Sequence, residues 1–469
     1  MIAPEAFSQT PDGTEPNSAT NACKLCTPLG ACLAFRGVAG AIPFLHGGQG
    51  CATYIRRYLI SHFREPMDIA ASNFSESSTV FGGEANLSAG LTNVIRQYEP
   101  SLVGLATTCL SETIGEDMPG HLRKFHDEAG SPPPPIVSVS TASFRGTHTD
   151  GFHSAVRALV ESLAAAPLKE QLQHCRLRTN PPVAVFPGMV SPSDLRELKR
   201  LVAAMHLPLT LLPDYSETLD GPSWADYEKL PAGGTTVEAI RALGYARASI
   251  ECGRVLASSA HTAGTFLAEK HGVTLHRVGL PIGLRETDRF LEILGVLSGQ
   301  PVPAALEAER GRLIDSWVDG HKYVFEKRAI VYGEEDFVVG IASLLAEIGI
   351  VPVLCASGGR SRQLAAALRA AVPELDDRTV ICEGADFADI ATEAAAAKPD
   401  FLIGSSKGYS LARQLDVPLI RCGFPIHDRI GGQRVLHVGY AGAQALFDRI
   451  VNTLLDRKQA LSPIGYSYL

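Results

Sequence analysis

The sequence predicts an α/β protein built from three doubly wound parallel sheets. Two observations carry this. Apolar, β-branched runs of strand length recur along the 469 residues, and each is followed by a helix-spaced pattern. The runs are continuously apolar rather than alternating, which marks strands covered by helices on both faces. They fall into three blocks, roughly 1–170, 171–300 and 301–469.

The first block opens on Met1 to Asn21, a polar stretch rich in Ser, Thr, Pro and Asn that reads as a flexible arm. Its strands are Ser101 to Ala106, leading to Cys109, and Ile136 to Ser140, leading to Ser143; Pro132 to Pro135 forms a rigid connector. In the second block, Val183 to Phe186 is a strand. Ser193 then reads as the cap of a helix over Asp194 to Met205, and Leu207 to Leu212 returns as a strand. The third block gives the strand Arg328 to Tyr332, the helix Phe337 to Ile348 and the strand Val351 to Leu354. Strands at Thr379 to Cys382, Phe401 to Gly404 and Pro418 to Ile420 follow, with the Ala-rich helix Ile390 to Ala397 among them. No short-period repeat is present.

Composition excludes several classes. Net charge is −8 and no basic stripe occurs, so nothing suggests nucleic-acid binding. No apolar stretch reaches the roughly 18 residues needed to span a bilayer. The N-terminus lacks the charged-then-apolar pattern of a signal peptide, and ten cysteines in 469 residues are no secreted disulfide scaffold. The expectation is a cytoplasmic protein.

Three cysteines stand in glycine- or threonine-rich turns beside apolar runs: Cys26 in Leu25-Cys-Thr-Pro-Leu-Gly30, Cys51 after Gly47-Gly-Gln-Gly50, and Cys109 in Thr107-Thr-Cys-Leu-Ser-Glu112. Taken singly, each could be a buried thiol packing as a small hydrophobe. Together, three soft ligands on three loops suit an iron–sulfur cluster, one ligand short of the usual four. Glycine beside Cys51 lets backbone approach a bulky inorganic group. Cys23 and Cys26 make a C-x-x-C pair, but no second pair has zinc-ribbon spacing. Cys32, Cys175, Cys252, Cys355, Cys382 and Cys422 read as structural, and His46 as a structural histidine rather than a ligand.

Ser357-Gly-Gly-Arg-Ser361 reads as a tight turn in preference to a phosphate cradle. Gly404-Ser-Ser-Lys-Gly408 has the wrong order for a P-loop, and none occurs elsewhere. Asp315 and Asp319 share a helix face at i,i+4; they are either solvated or hold a hard cation.

Cys-Thr-Pro-Leu-Gly-Ala (26–31), His-Gly-Gly-Gln-Gly-Cys (46–51), His-Phe-Arg-Glu-Pro (62–66), Val-Phe-Gly-Gly (80–83), Thr-Thr-Cys-Leu-Ser-Glu (107–112) and Ser-Phe-Arg-Gly-Thr-His (143–148) carry a family likeness. So do Glu-Arg-Gly-Arg-Leu-Ile-Asp (309–315) and Gly-Phe-Pro-Ile-His-Asp-Arg (423–429). With them the chain resembles the β-type subunit of the nitrogenase component 1 family over almost its whole length beyond residue 20.

The resemblance implies three stacked α/β domains in an α2β2 heterotetramer and electrons supplied by a separate ATP-hydrolysing iron protein. It implies an 8Fe-7S P-cluster shared with the α subunit, this chain giving Cys26, Cys51 and Cys109. Ser143 matches a serine that ligates the oxidised cluster, and oxygen is the harder donor suited to more oxidised iron. Phe81 matches an aromatic at the iron-protein docking surface, and Tyr54 a residue between clusters. Glu65, Asp315 and Asp319 match carboxylates of a divalent cation site between β subunits. The catalytic iron–sulfur cofactor, with or without a heterometal, is expected in the α subunit, and no catalytic acid or base is assigned here.

Related scaffold proteins for cofactor assembly usually keep one of these cysteines, and dark-operative pigment reductases hold simpler clusters. Retention of all three cysteines and Ser143 therefore points to a catalytic reductase. The short segment before Cys26, residues 52–57 and the scaffold-like stretch 233–244 point to a nitrogenase-like branch, with methylthio-alkane reduction as the first expectation. Dinitrogen reduction and a scaffold role are the alternatives. Fold class alone would also allow a small-ligand binding protein without a cluster.

Overall fold

The computed structural model describes residues 22–165 and 180–464. The expectations for the N-terminal arm and for Cys175 lie outside them. Among the described residues the strands form three sheets, and every ladder is parallel.

The first sheet contains β1 (Ala41–His46), β2 (Ala70–Ala71), β3 (Leu102–Thr107) and β4 (Ile136–Val139), in the order β2-β1-β3-β4. The second repeats that order with β5 (Val183–Phe186), β6 (Leu209–Leu211), β7 (Ala248–Cys252) and β8 (Leu275–Val278), as β6-β5-β7-β8. The third has β9 (Arg328–Gly333), β10 (Val351–Ser357), β11 (Val380–Glu383), β12 (Phe401–Gly404) and β13 (Leu419–Arg421), ordered β11-β10-β9-β12-β13. Each order reverses direction once, between β1 and β3, β5 and β7, and β9 and β12. At such a reversal the neighbouring connections leave on opposite faces and open a crevice beyond the strand carboxyl ends.

β1, β3 and β5 are buried at every residue, which explains their unbroken apolar runs. β7 breaks the pattern with Glu251, whose buried carboxylate accepts from Gly264 N and Thr262 Oγ1. The helix after β5 runs Pro192–Ala204 and is capped by Ser191, not Ser193. Pro192 takes the first helical position, where its missing N–H costs nothing, and the Ser191 hydroxyl accepts from Asp194 N at 3.0 Å. The C-terminal helix Gly439–Leu461 packs on the helix Ala304–Val324. No helix among the described residues is long and apolar enough to cross a membrane.

Candidate functional site

Because β1, β3 and β4 are neighbours, three loops leave the same rim of the first sheet. After β1 the chain turns at Gly47 (φ 155°) into α2 (Gln49–Phe63), with Cys51 in its first turn. After β3 it enters the short α5 (Cys109–Ile114), whose first residue is Cys109. After β4 it passes Ser143 and enters α7 (His148–Leu163). The intervening helices are α3 (Glu76–Phe81), α4 (Glu84–Tyr98) and α6 (Met118–Glu128). Cys26 arrives separately, as the cap of α1 (Thr27–Arg36).

Backbone packing fixes this meeting point. α1 lies tightly against α7: a Cβ on Gly30 would fall 1.6 Å from the His148 carbonyl oxygen, and one on Gly151 would fall 1.9 Å from that of Thr27. Only glycine permits that approach. The β1 and β3 loops are equally close. Thr108 N and Oγ1 both donate to the His46 carbonyl at 3.1 Å, and a Cβ on Gly47 would meet Thr108 Oγ1 at 2.0 Å. Thr141 ties the β4 loop to β3 by donating its N to Thr107 Oγ1 and its hydroxyl to the Thr107 carbonyl.

The four sequence-predicted residues are thereby assembled. Ser143 bridges two of the cysteine loops: its N–H donates to Cys109 Sγ at 3.2 Å, and its Oγ accepts from Thr27 N, beside Cys26, at 3.2 Å. Burial raises the Cys51 thiol, and the charges of Cys26 and Cys109 raise it further. Three thiolates this close oppose one another's ionisation unless a positive centre lies between them.

The donors fit an iron–sulfur group. They are soft sulfur ligands with one oxygen beside them. α1 and α2 bring their positive N-terminal ends to the thiols, and neither has an acidic residue in its first turn. Cβ atoms on Gly48 and Gly50 would meet nothing within 4 Å. Intrachain packing therefore does not demand glycine there, although Gly50 weakens α2. Cys51 is exposed while Cys26 and Cys109 are half-buried, so the site opens to the surface. Among the described residues, no group of three His, Cys, Asp or Glu side chains is arranged to hold a single metal ion.

Tyr54, one turn beyond Cys51, is 40% exposed and lies against Tyr58, the ring centroids 4.6 Å apart and the planes tilted by 43°. Burial, then Tyr58 and Cys26, keep its hydroxyl protonated. Phe81 and Val80, at the end of α3, are 88% and 73% exposed. His46 is structural in its setting, buried edge-on to Phe74 and paired with Glu116 at 3.1 Å. Glu116 also accepts from Gly83 N and pairs with His121. It therefore ties the Phe81–Gly83 turn to the end of β1, a link between residues 33 and 70 positions apart that sequence reading missed.

Glu65 lies near Asp220 and Arg434, and its carboxyl is raised chiefly by burial. Asp315 and Asp319 are exposed on the helix Ala304–Val324. Cys23 is buried in the third sheet's apolar cluster, its thiol pushed up to about 12, rather than turned to the rim with Cys26. Cys32, Cys252, Cys355 and Cys422 are buried and Cys382 is half-buried. The Ser357–Ser361 segment is a turn: Gly358 packs on the Cys23 backbone and Gly359 on Glu335.

Where the three sheets meet lies a cavity of about 30 Å³ lined by His62, Phe63, Val190, Glu334, Phe424 and His437. That is room for about one water and not for a polynuclear cofactor.

Residues 26–455 match the nitrogenase component 1 type oxidoreductases. The nitrogenase molybdenum-iron protein beta chain of Clostridium pasteurianum is 34% identical over 441 residues, covering 93% of each chain. That of Methanothermobacter thermautotrophicus is 35% identical over 440 residues, 92% of this chain and 93% of its own. The Azotobacter vinelandii beta chain is 34% identical over 93% of this chain and 84% of its own. A solved structure of nitrogenase Cp1 at pH 6.5 superposes with a TM-score of 0.90 at 31% identity over 99% of both chains. Near-complete coverage of the clostridial chain removes the length of the segment before Cys26 as a mark of substrate class.

Proposed function

Because the chain belongs to the nitrogenase component 1 family of oxidoreductases, as a β-type subunit, we propose that it is the electron-relay half of an ATP-dependent reductase. The observation that carries the reading is the meeting of Cys26, Cys51 and Cys109 at one rim, with Cys51 open to the surface. A homologous α subunit would cover Cys51 and complete an 8Fe-7S P-cluster, in an α2β2 heterotetramer. When bound, that group supplies low-potential electron storage. The protein holds it through the three thiolates, and Ser143 aligns Cys109 with the start of α1. The Ser143 hydroxyl stands between two cysteine loops, where it would also reach oxidised iron. An iron protein would dock over Phe81 and Val80, with Tyr54 on the path inward. Glu65, Asp315 and Asp319 would meet a divalent cation only across a contact between two β subunits. The catalytic cofactor would lie in the α subunit, as the family likeness implies.

The proposed substrate is a small methylthio-alkane, on the strength of residues 52–57 and 233–244. Dimethyl sulfide, two electrons and two protons would give methanethiol and methane. Dinitrogen is the second reading, favoured by likeness to molybdenum-iron beta chains. The test supplies purified complex, iron protein, ATP and a low-potential donor with dimethyl sulfide and dinitrogen in parallel. Methanethiol without ammonia supports the proposal, and ammonia without methanethiol replaces the substrate while keeping the subunit's role. Neither product, with transfer of a bound cofactor to an apo-protein, would make the chain an assembly scaffold.

A further inference from the structure

The Gly404–Gly408 turn is no phosphate loop, yet its lysine is held in an unusual place. The turn follows β12, at the point where the third sheet reverses. It is wrapped around Tyr332: a Cβ on Gly408 would meet the Tyr332 hydroxyl oxygen at 2.2 Å, and that hydroxyl donates to the Ser405 carbonyl at 2.5 Å. Ser406 N and Oγ both donate to the Pro425 carbonyl, and Ser406 Oγ accepts from His427 N. With its neighbours fixed, Lys407 extends into the segment that carries Cys26. Its ammonium donates to the Ala22 carbonyl at 2.5 Å and the Lys24 carbonyl at 3.3 Å, bracketing Cys23. It is half-buried, and its charge acts on both Cys23 and Cys26.

We propose that Lys407 is a positioning and potential-setting residue for the cluster held by Cys26, clamping that cysteine's loop from the third domain and placing a fixed positive charge behind it. The inference rests on the reading of Cys26 as a cluster ligand. A positive charge beside a redox centre favours the state with more electrons, so Lys407 raises the cluster's reduction potential. Its partial burial limits screening by salt. The same ammonium braces the backbone of a loop that has no regular structure before Cys26. No feature of the sequence pairs residue 407 with residues 22–26; the topology does.

The test is a redox titration of the purified complex, followed by the cluster's electron paramagnetic resonance signal, for wild type and three variants. Lys407→Gln keeps a hydrogen-bond donor and removes the charge. It should retain iron while raising the oxidised-to-reduced ratio at fixed potential about tenfold, equivalent to about 59 mV for a one-electron couple. Lys407→Arg should keep the wild-type potential. Lys407→Met removes clamp and charge together and should show the same shift with lower iron occupancy. An unchanged titration in Lys407→Gln with iron retained would overturn the proposal and leave the cluster reading standing. Wild-type complex without a cluster would sink the underlying reading instead.

Discussion

Two sheet-reversal points in this molecule share a topology and differ in what they hold. At the first, between β1 and β3, the loops end in glycine and cysteine and open to the surface. At the third, between β9 and β12, they end in Glu334 and the Ser405–Gly408 turn, which close on space for about one water. The Glu334 carboxylate is used up in capping the helix that follows β9, accepting from Asp336 N and Phe337 N. Nearby, Asp194 accepts from the backbone N–H groups of Ser191, His437 and Val438 and pairs with the His437 ring at 2.7 Å. A crevice of this topology thus becomes a site only where its loops leave donors unspent. The first rim presents three thiols, of which Cys109 accepts one hydrogen bond from Ser143 N, whereas Glu334 after β9 and Asp194 after β5 are spent on helix starts.

The largest effect expected from breaking this contrast is at the first rim. Cys51→Ala removes a soft ligand and replaces it with nothing, so iron content and turnover of the purified complex should fall together to background. The fold of the chain itself should be near wild type, since Cys51 is exposed in it. Retained cluster signal would contradict its ligand role.

At the junction the prediction inverts. Asp194→Ala strands the His437 imidazole and three backbone donors, and should destabilise the protein by about 3–5 kcal/mol. Burial alone would raise the Asp194 carboxyl, and His437 with the backbone donors outweighs it and holds the group low. Denaturant midpoints check the loss, while the cluster's spectrum should be unchanged in whatever folds.

Glu347 gives a pH signature of intermediate size. It accepts from Leu284 N and Arg285 N, yet burial pushes its carboxyl up to about 7 from an ordinary value of 4.5. A raised acid binds its proton more tightly in the folded state. Its contribution is therefore full below about pH 4.5 and is lost as pH rises through about 7. Wild type should lose up to about 3 kcal/mol relative to Glu347→Gln over that interval, at 1.36 kcal/mol per unit. Parallel stability curves for the two proteins would refute the assignment.

The smallest structural effect should come from Phe81→Ala. An 88% exposed ring contributes within about 0.5 kcal/mol to folding. The variant should instead slow electron delivery from the iron protein, seen as a higher half-saturating concentration of that partner. Equal delivery in variant and wild type would remove Phe81 from the docking surface.

Much of this contrast was legible in the sequence where physics is local. The runs at Val183–Phe186 and Phe401–Gly404 are strands over those same residues, because continuous burial requires continuous apolarity. β1 was not read as a strand, since Pro43 interrupts it. β7 was missed because Glu251 looks solvent-facing until Gly264 and Thr262 are seen to satisfy it. The Ser191 cap carried its signal in the following proline, which a choice of Ser193 overlooked. The cysteine turns announced themselves through glycine. Lys407 and Glu116 did not, because their partners lie far off in the chain and depend on how the sheets are stacked.

The central claim is that Cys26, Cys51 and Cys109 hold this chain's half of a cluster shared with an α subunit. Anomalous diffraction at the iron edge, from crystals of the purified complex, tests it most directly. The account predicts iron within bonding distance of all three sulfurs, at the boundary between the two subunits. Iron confined to the α subunit, with three unligated thiols at this rim, would contradict it.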